Sequence, residues 1–213
     1  EVVDSAFIQA PEHRPEPQSV EGDEVPLIDL LSPKDSEELV AEIGEACKNW
    51  GFFQVINHGV SPILRGEMES FSRKFFAQSK EEKKKVSRDE VNPTGYYDTE
   101  HTKNVRDWKE VFDFVCPEPA IFPATPDTDN LIHLFNQWPQ NLPGMRETCM
   151  EYAKELEKLA FKLLELISLS LGLKGDRLNE YFKDQISFIR LNHYPPCPIP
   201  DLALGVGRHK DSG

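Results

Sequence analysis

From residue 25 onward, apolar positions recur first at helical and then at alternating spacing. Leu39, Val40, Ile43, Ala46, Cys47 and Trp50 fall on one helical face that Gly51 ends, and Asp35 with Glu38 three residues later forms a capping-box pattern at its start. Val25 to Leu30 is a short extended run whose Pro26 places it at a sheet edge or strand start. Phe52 to Asn57 is a second such run, closed by an Asn57-His58-Gly59 turn. Ser61-Pro62 then opens a helix striped by Leu64, Met68, Phe71 and Phe75. Ser79 and Glu82 repeat the capping-box pattern before Lys83-Lys84-Lys85, which reads as a solvated helix end where cations suit the helix dipole.

Residues 91–106 follow neither period and contain Pro93 and Gly95, which predicts an irregular segment. Trp108 to Val115 alternates, with Phe112 and Phe114 on one face and Val111, Asp113 and Val115 on the other. A proline-rich loop is expected from Pro117 to Pro126. The longest element follows: Met145, Cys149, Tyr152, Leu156, Leu159, Leu163 and Ile167 step by three or four until Gly172. That stripe predicts a core helix bracing a sheet. A shorter helix is expected over 176–182.

The last stretch carries the chemistry. Ile186, Phe188, Arg190, Asn192 and Tyr194 share one strand face, so three polar side chains follow two apolar ones toward an expected interior. Buried polar groups cost free energy unless something binds them, and a small acid beside a metal would do so. After Pro195-Pro196 a second extended stretch carries His209 and Asp211, whose i, i+2 spacing lets both reach one ion from one side. With 6 histidines and 37 acidic residues in 213 positions, chance alone gives about one His-x-Asp or His-x-Glu pair, and this is the one present. Spacing by itself therefore decides little. His58 reads as a turn residue, His193 as structural because it points opposite to Asn192 and Tyr194, and His13, His101 and His133 as surface residues. The organisation is a loosely held lead-in over 1–24, a helix-and-strand region over 25–185, and the start of a strand-built region over 186–213 that carries the candidate metal ligands.

A formal charge of −13 argues against a nucleic-acid backbone or an anionic membrane as partner. No apolar run approaches the roughly 20 residues of a membrane-spanning helix. Cys47, Cys116, Cys149 and Cys197 are irregularly spaced, which predicts reduced thiols rather than a zinc site or disulfides. A soluble cytoplasmic protein is expected.

The run Asn192-His193-Tyr194-Pro195-Pro196-Cys197-Pro198, then Leu202-Ala203-Leu204-Gly205 and His209-Lys210-Asp211, resembles the plant iron(II)/2-oxoglutarate-dependent dioxygenases. Upstream, Trp50-Gly51-Phe52-Phe53-Gln54-Val55-Ile56-Asn57-His58-Gly59-Val60 is similar to the same family, with Asp107-Trp108-Lys109-Glu110 and Asn136-Gln137-Trp138-Pro139 between them. The resemblance implies an α+β fold of the isopenicillin N synthase type, in which an N-terminal helical region supports a double-stranded β-helix, or jelly roll, only partly present in this sequence.

It also implies His209 and Asp211 as iron ligands, Asn192 and Tyr194 beside 2-oxoglutarate, and Tyr96 and Tyr97 in the region flanking the substrate. For Tyr194 the competing reading is an anchor for the Pro195-Pro196 turn, and for Tyr96 and Tyr97 it is simple loop packing. Iron(II), 2-oxoglutarate and O2 are the implied cofactors and cosubstrates, with ascorbate as a further reductant. The implied reaction hydroxylates, desaturates or demethylates a small plant metabolite or hormone, flavonoid-like aromatics among them, releasing succinate and CO2. A monomer is expected. A same-fold iron oxidase using another reductant and a non-catalytic binding relative stay open. Family members carry a distal His ligand and an Arg-x-Ser pair beyond the His-x-Asp; neither occurs before Gly213, so the sequence is expected to be part of a longer protein.

Overall fold

The computed structural model describes residues 3–15, 24–31, 36–125 and 130–210. In chain order its elements are β1 (Leu27–Asp29), α1 (Ser36–Asn49), β2 (Gln54–Ile56), α2 (Pro62–Phe76) and α3 (Lys80–Lys84). Then come β3 (Gly95–Tyr97), β4 (His101–Thr102), β5 (Val105–Arg106), β6 (Glu110–Cys116), β7 (Ala120–Pro123) and β8 (Leu131–Leu134). α4 (Met145–Ser170) and β9 (Ser187–His193) follow, and short 3-10 turns lie at Ser5–Phe7, Pro11–His13 and Asn179–Phe182. The chain divides into two compact units, one of Glu1–Val20, Phe71–Met145 and Phe188–Gly213, the other of Glu21–Ser70 and Arg146–Ser187.

In the second unit β1 and β2 pair in parallel, Ile28 opposite Val55, with α1 as the crossover. Ile28, Leu30, Ile43 and Ala46 form its buried core, and Leu159, Leu163, Leu166 and Ile167 of α4 pack against them. The predicted stripe of α4 is thus a brace for this small parallel pair. Gly51 and Gly172 take positive φ where α1 and α4 end. Asp35, half of the expected capping box, lies outside the described residues.

The first unit is built on a sheet ordered β3-β6-β9, with β3 antiparallel to β6 and Tyr96 opposite Phe112. Phe112 and Phe114 are fully buried on one face, against Phe75 at 4.6 Å and Trp138 at 5.8 and 5.4 Å between ring centroids. Asn136 ties the strand's end by accepting from Val115 N–H at 2.8 Å and donating to its carbonyl at 2.9 Å.

Four expectations are corrected here. Residues 91–106 are not irregular but contain β3, β4 and β5, strands of two or three residues that are too short to carry a detectable period. The proline-rich loop contains β7, which forms a hairpin with β8. Over 176–182 only a 3-10 turn forms, Asn179–Phe182, since so short a segment gives few bonds for the residues it fixes. Finally, the expected second strand toward His209 is bend and loop as far as Lys210, because it has no strand partner among the described residues.

Candidate functional site

One face of the β3-β6-β9 sheet opens into a polar cavity of about 670 Å³, lined by Arg88, Tyr97, Glu100, Asp107, Lys109, Arg190 and His209 among others. Beneath it lies Asp113, fully buried in mid-strand. The Arg190 guanidinium donates to both its carboxylate oxygens, from Nε at 2.8 Å and Nη2 at 2.9 Å. Arg190 reaches on to Glu100 at 2.8 Å, and Lys109 meets Glu100 at 2.9 Å. Arg88 stands farther off, 3.6 Å from Asp113 and 3.7 Å from Glu100, its guanidinium lying 3.4 Å above the Tyr97 ring.

Burial lifts the Asp113 carboxyl above its ordinary pKa against the pull of Arg190, while hydrogen bonding to Asp113 raises that of Arg190. Burial would also raise Glu100, but Lys109 and Arg190 outweigh it and hold that carboxyl low. Hydrogen bonds from Thr99 and then Arg88 lower the Tyr97 phenol. The sequence places Asp113 and Arg190 on strand faces, Lys109 in a motif and Tyr97 near substrate, but it pairs none of them and does not mark Arg88 or Glu100. The available signal was a charged Asp113 among apolar strand residues, which demands a partner, and Arg190 in mid-strand elsewhere.

His209 lines the cavity at the end of the loop that follows β9. Its Nδ1 lies 2.8 Å from the Gly207 carbonyl. A carbonyl can only accept, so Nδ1 carries a proton, and in the neutral ring the lone pair then sits on Nε2, the tautomer needed for a ligand binding through Nε2. His209 therefore fits the donor set of a non-haem iron site. Asp211, its expected companion, lies outside the described residues. Among the described residues no three His, Cys, Asp or Glu side chains are grouped to hold a metal.

Asn192 and Tyr194 are exposed and do not line this cavity. The expectation that their strand face is interior is not met: Phe188 is 53% and Tyr194 50% exposed, because the sheet has only three strands among the described residues. Tyr194 packs on the loop, its ring so close to Gly205 that a Cβ there would sit 2.6 Å from Cδ1.

Tyr96 and Tyr97, neighbours in one strand, point to opposite faces. Tyr97 lines the cavity, whereas Tyr96, 2% exposed, donates its hydroxyl to Glu110 at 2.6 Å on the core side. Of the two tyrosines expected near substrate, only Tyr97 is placed at this cavity. Lys83 also departs from expectation. It is buried rather than solvated, bonding both Glu110 oxygens at 2.9 and 2.7 Å and the Phe76 carbonyl at 3.1 Å. His193 completes that cluster at 2.8 Å from Glu110, stacked on Phe76, in a structural position. His58 accepts from Val60 N–H within its turn, and His101, read as a surface residue, is exposed at the cavity's lining.

A family model described as non-haem dioxygenase in morphine synthesis, N-terminal, matches residues 25–141. The chain belongs to this dioxygenase family. Protein DOWNY MILDEW RESISTANCE 6 of Arabidopsis thaliana is 37% identical over 193 residues, covering 89% of this chain and 52% of that protein. Naringenin,2-oxoglutarate 3-dioxygenase of Matthiola incana is 34% identical over 218 residues, covering 99% of this chain and 58% of the relative. The chain thus spans about half the length of the curated relatives it matches.

Among solved structures, JOX2 in complex with 2OG, Fe and JA superposes with a TM-score of 0.82 at 32% identity, over 100% of this chain and 58% of that one. A 2OG-Fe(II) oxygenase family protein from Caulobacter crescentus, 23% identical with a TM-score of 0.67 over 82% of this chain and 57% of that one, shares the fold. The α+β architecture is accordingly that of the dioxygenase family, with a helical region and part of a jelly roll.

Proposed function

We propose that the whole protein is an iron(II)- and 2-oxoglutarate-dependent oxygenase acting on a small plant metabolite or hormone. The observation that carries this reading is His209, held as its Nδ1–H tautomer at the lining of a polar cavity, two residues before Asp211. His209 and Asp211 would hold the iron, and residues 186–213 open the catalytic region. Iron(II), when bound there with 2-oxoglutarate, supplies activation of O2 for oxidising an unactivated C–H bond, with succinate and CO2 released.

The chain's own part is positional. The Tyr194 hydroxyl and the Asn192 amide are offered as hydrogen-bond partners of the cosubstrate, and Tyr97 under Arg88 forms a rigid aromatic wall for the substrate. Relatives named flavonol synthase/flavanone 3-hydroxylase in Solanum tuberosum and gibberellin 20 oxidase 1 in Arabidopsis thaliana support a flavonoid-like or hormone-sized substrate. The charge of −13 disfavours nucleic acid as the target. Cys47, Cys116, Cys149 and Cys197 form no disulfide with one another, which suits a cytoplasmic, reducing compartment, in which we place a monomer. No helix among the described residues is long and apolar enough to cross a membrane.

The test is 2-oxoglutarate-dependent succinate release by the whole protein over a panel of plant metabolites. Asp211→Ala should abolish it while leaving the thermal midpoint unchanged, and wild-type turnover in that variant would sink the assignment. Tyr194→Phe should raise the apparent KM for 2-oxoglutarate by about 3–10-fold, the worth of one hydrogen bond. An unchanged KM would remove Tyr194 from the cosubstrate site.

A further inference from the structure

The loop from Pro195 to His209 has no strand partner among the described residues, yet it is fastened at several points, three of them by two adjacent residues. Trp108 N–H donates to the Leu204 carbonyl at 2.8 Å, and its indole Nε1–H donates to the Pro195 carbonyl at 3.0 Å. Asp107 Oδ1 accepts from Gly207 N–H at 3.1 Å. Asp107 is itself only 2% exposed, and its other oxygen accepts from Thr102 Oγ1 at 2.9 Å with Lys109 Nζ at 3.6 Å. Burying a polar side chain costs free energy unless such partners satisfy it.

Gly207 joins two chemistries. Its N–H is held by Asp107, and its carbonyl accepts from His209 Nδ1. The approach is close enough to require glycine, since a Cβ at this position would lie 2.8 Å from Thr102 Cβ and Cγ2. Rotating this peptide would remove the acceptor that selects the imidazole tautomer. We infer that Asp107 is a positioning residue for the iron ligand: by anchoring Gly207 it fixes the carbonyl that keeps the proton on His209 Nδ1 and aims the Nε2 lone pair at the cavity. The inference rests on the reading of His209 as an iron ligand.

The experiment uses the whole protein in two states. In the metal-free state, at a pH where the ring is neutral, imidazole 15N shifts report the His209 tautomer. Wild type and Asp107→Asn should both show Nδ1–H, because asparagine keeps Oδ1 as acceptor and can donate to Thr102. Asp107→Ala should show a tautomer mixture. In the second state, with 2-oxoglutarate present, Co(II) titration followed by its visible absorption should give affinity about 10–100-fold weaker for Asp107→Ala, the range seen when the partner orienting a metal ligand is removed. Asp107→Asn should stay within about threefold of wild type.

Should Asp107→Ala fail to fold, Gly207→Ala carries the test, since it leaves Asp107 in place and displaces only the peptide. It should weaken Co(II) as Asp107→Ala does, and wild-type affinity in Gly207→Ala overturns the inference. So does an Asp107→Ala protein with a lowered thermal midpoint but wild-type tautomer and Co(II) affinity, which would make Asp107 a loop staple only. Wild-type protein that binds no Co(II) overturns the iron reading itself and the role of Asp107 with it.

Discussion

Glu110 and Asp113 leave the same strand on opposite faces, and each is the hub of a polar cluster, yet their carboxyls shift in opposite directions. Glu110 receives Lys83 on both oxygens, the Tyr96 hydroxyl at 2.6 Å and His193 Nδ1 at 2.8 Å. Burial would raise its pKa, but these donors outweigh burial and hold it low. Asp113 has the better single partner, the Arg190 fork, but it is fully buried, and burial wins. The comparison teaches that the balance of burial against converging donors decides how readily a carboxyl ionises, more than the geometry of any one pair. The same cluster pushes the Tyr96 phenol well above its ordinary range, by burial first and by Glu110 second.

The sharpest way to break the comparison is Asp113→Ala. Removing one partner of a buried pair strands the other, and about 3 kcal/mol of stability should be lost, the low end of such effects because Arg190 keeps Glu100. Denaturant midpoints at constant m-value would measure it, and a loss below about 1 kcal/mol would mean the pair is dispensable. On the other face, Lys83→Met keeps the packed stem but removes the donor shared by both Glu110 oxygens. Its cost should be about 1–3 kcal/mol, read the same way.

The smallest effect is one of pH. Folded Glu110 takes up its proton at a lower pH than the unfolded chain does. Its contribution is therefore complete above the usual carboxylate range and is lost as pH falls through that range to its depressed folded value. Glu110→Gln should flatten that acid limb of the stability curve. Asp113, with the opposite shift, works against that limb, because its protonation favours the fold as pH falls, so Asp113→Asn should steepen the limb rather than flatten it. Identical acid limbs in wild type and Glu110→Gln would refute the contrast.

Long elements were legible because period needs length. α4, α1 and β6 follow from their apolar spacing, and Phe112 and Phe114 sit on the face that alternation assigns them. β1 and β2, three residues each, were legible because longer apolar runs surround them, whereas β3, β4, β5 and the β7–β8 hairpin have no such run and are specified by their pairing partners. The site divided likewise. His209 was found through a motif, but the ion-pair layer under the cavity joins residues as far apart as Arg88 and Arg190, and charge partners at such separations leave no local trace. Lys83 shows the reverse error. A run of three lysines looks solvated, and only Glu110 on another element makes the first of them a core residue.

Asp113 also matters to the chain before it folds. Val111 to Cys116 is otherwise a run of two valines, two phenylalanines and a cysteine, the uncharged, β-prone composition that stacks into cross-β fibrils when left unpaired. β6 is synthesised well before β9 can lie beside it, so the strand waits with an open edge. The one carboxylate in its middle acts as a gatekeeper during that interval. A substitution there is felt first in the yield of folded protein and only afterwards in the protein that survives.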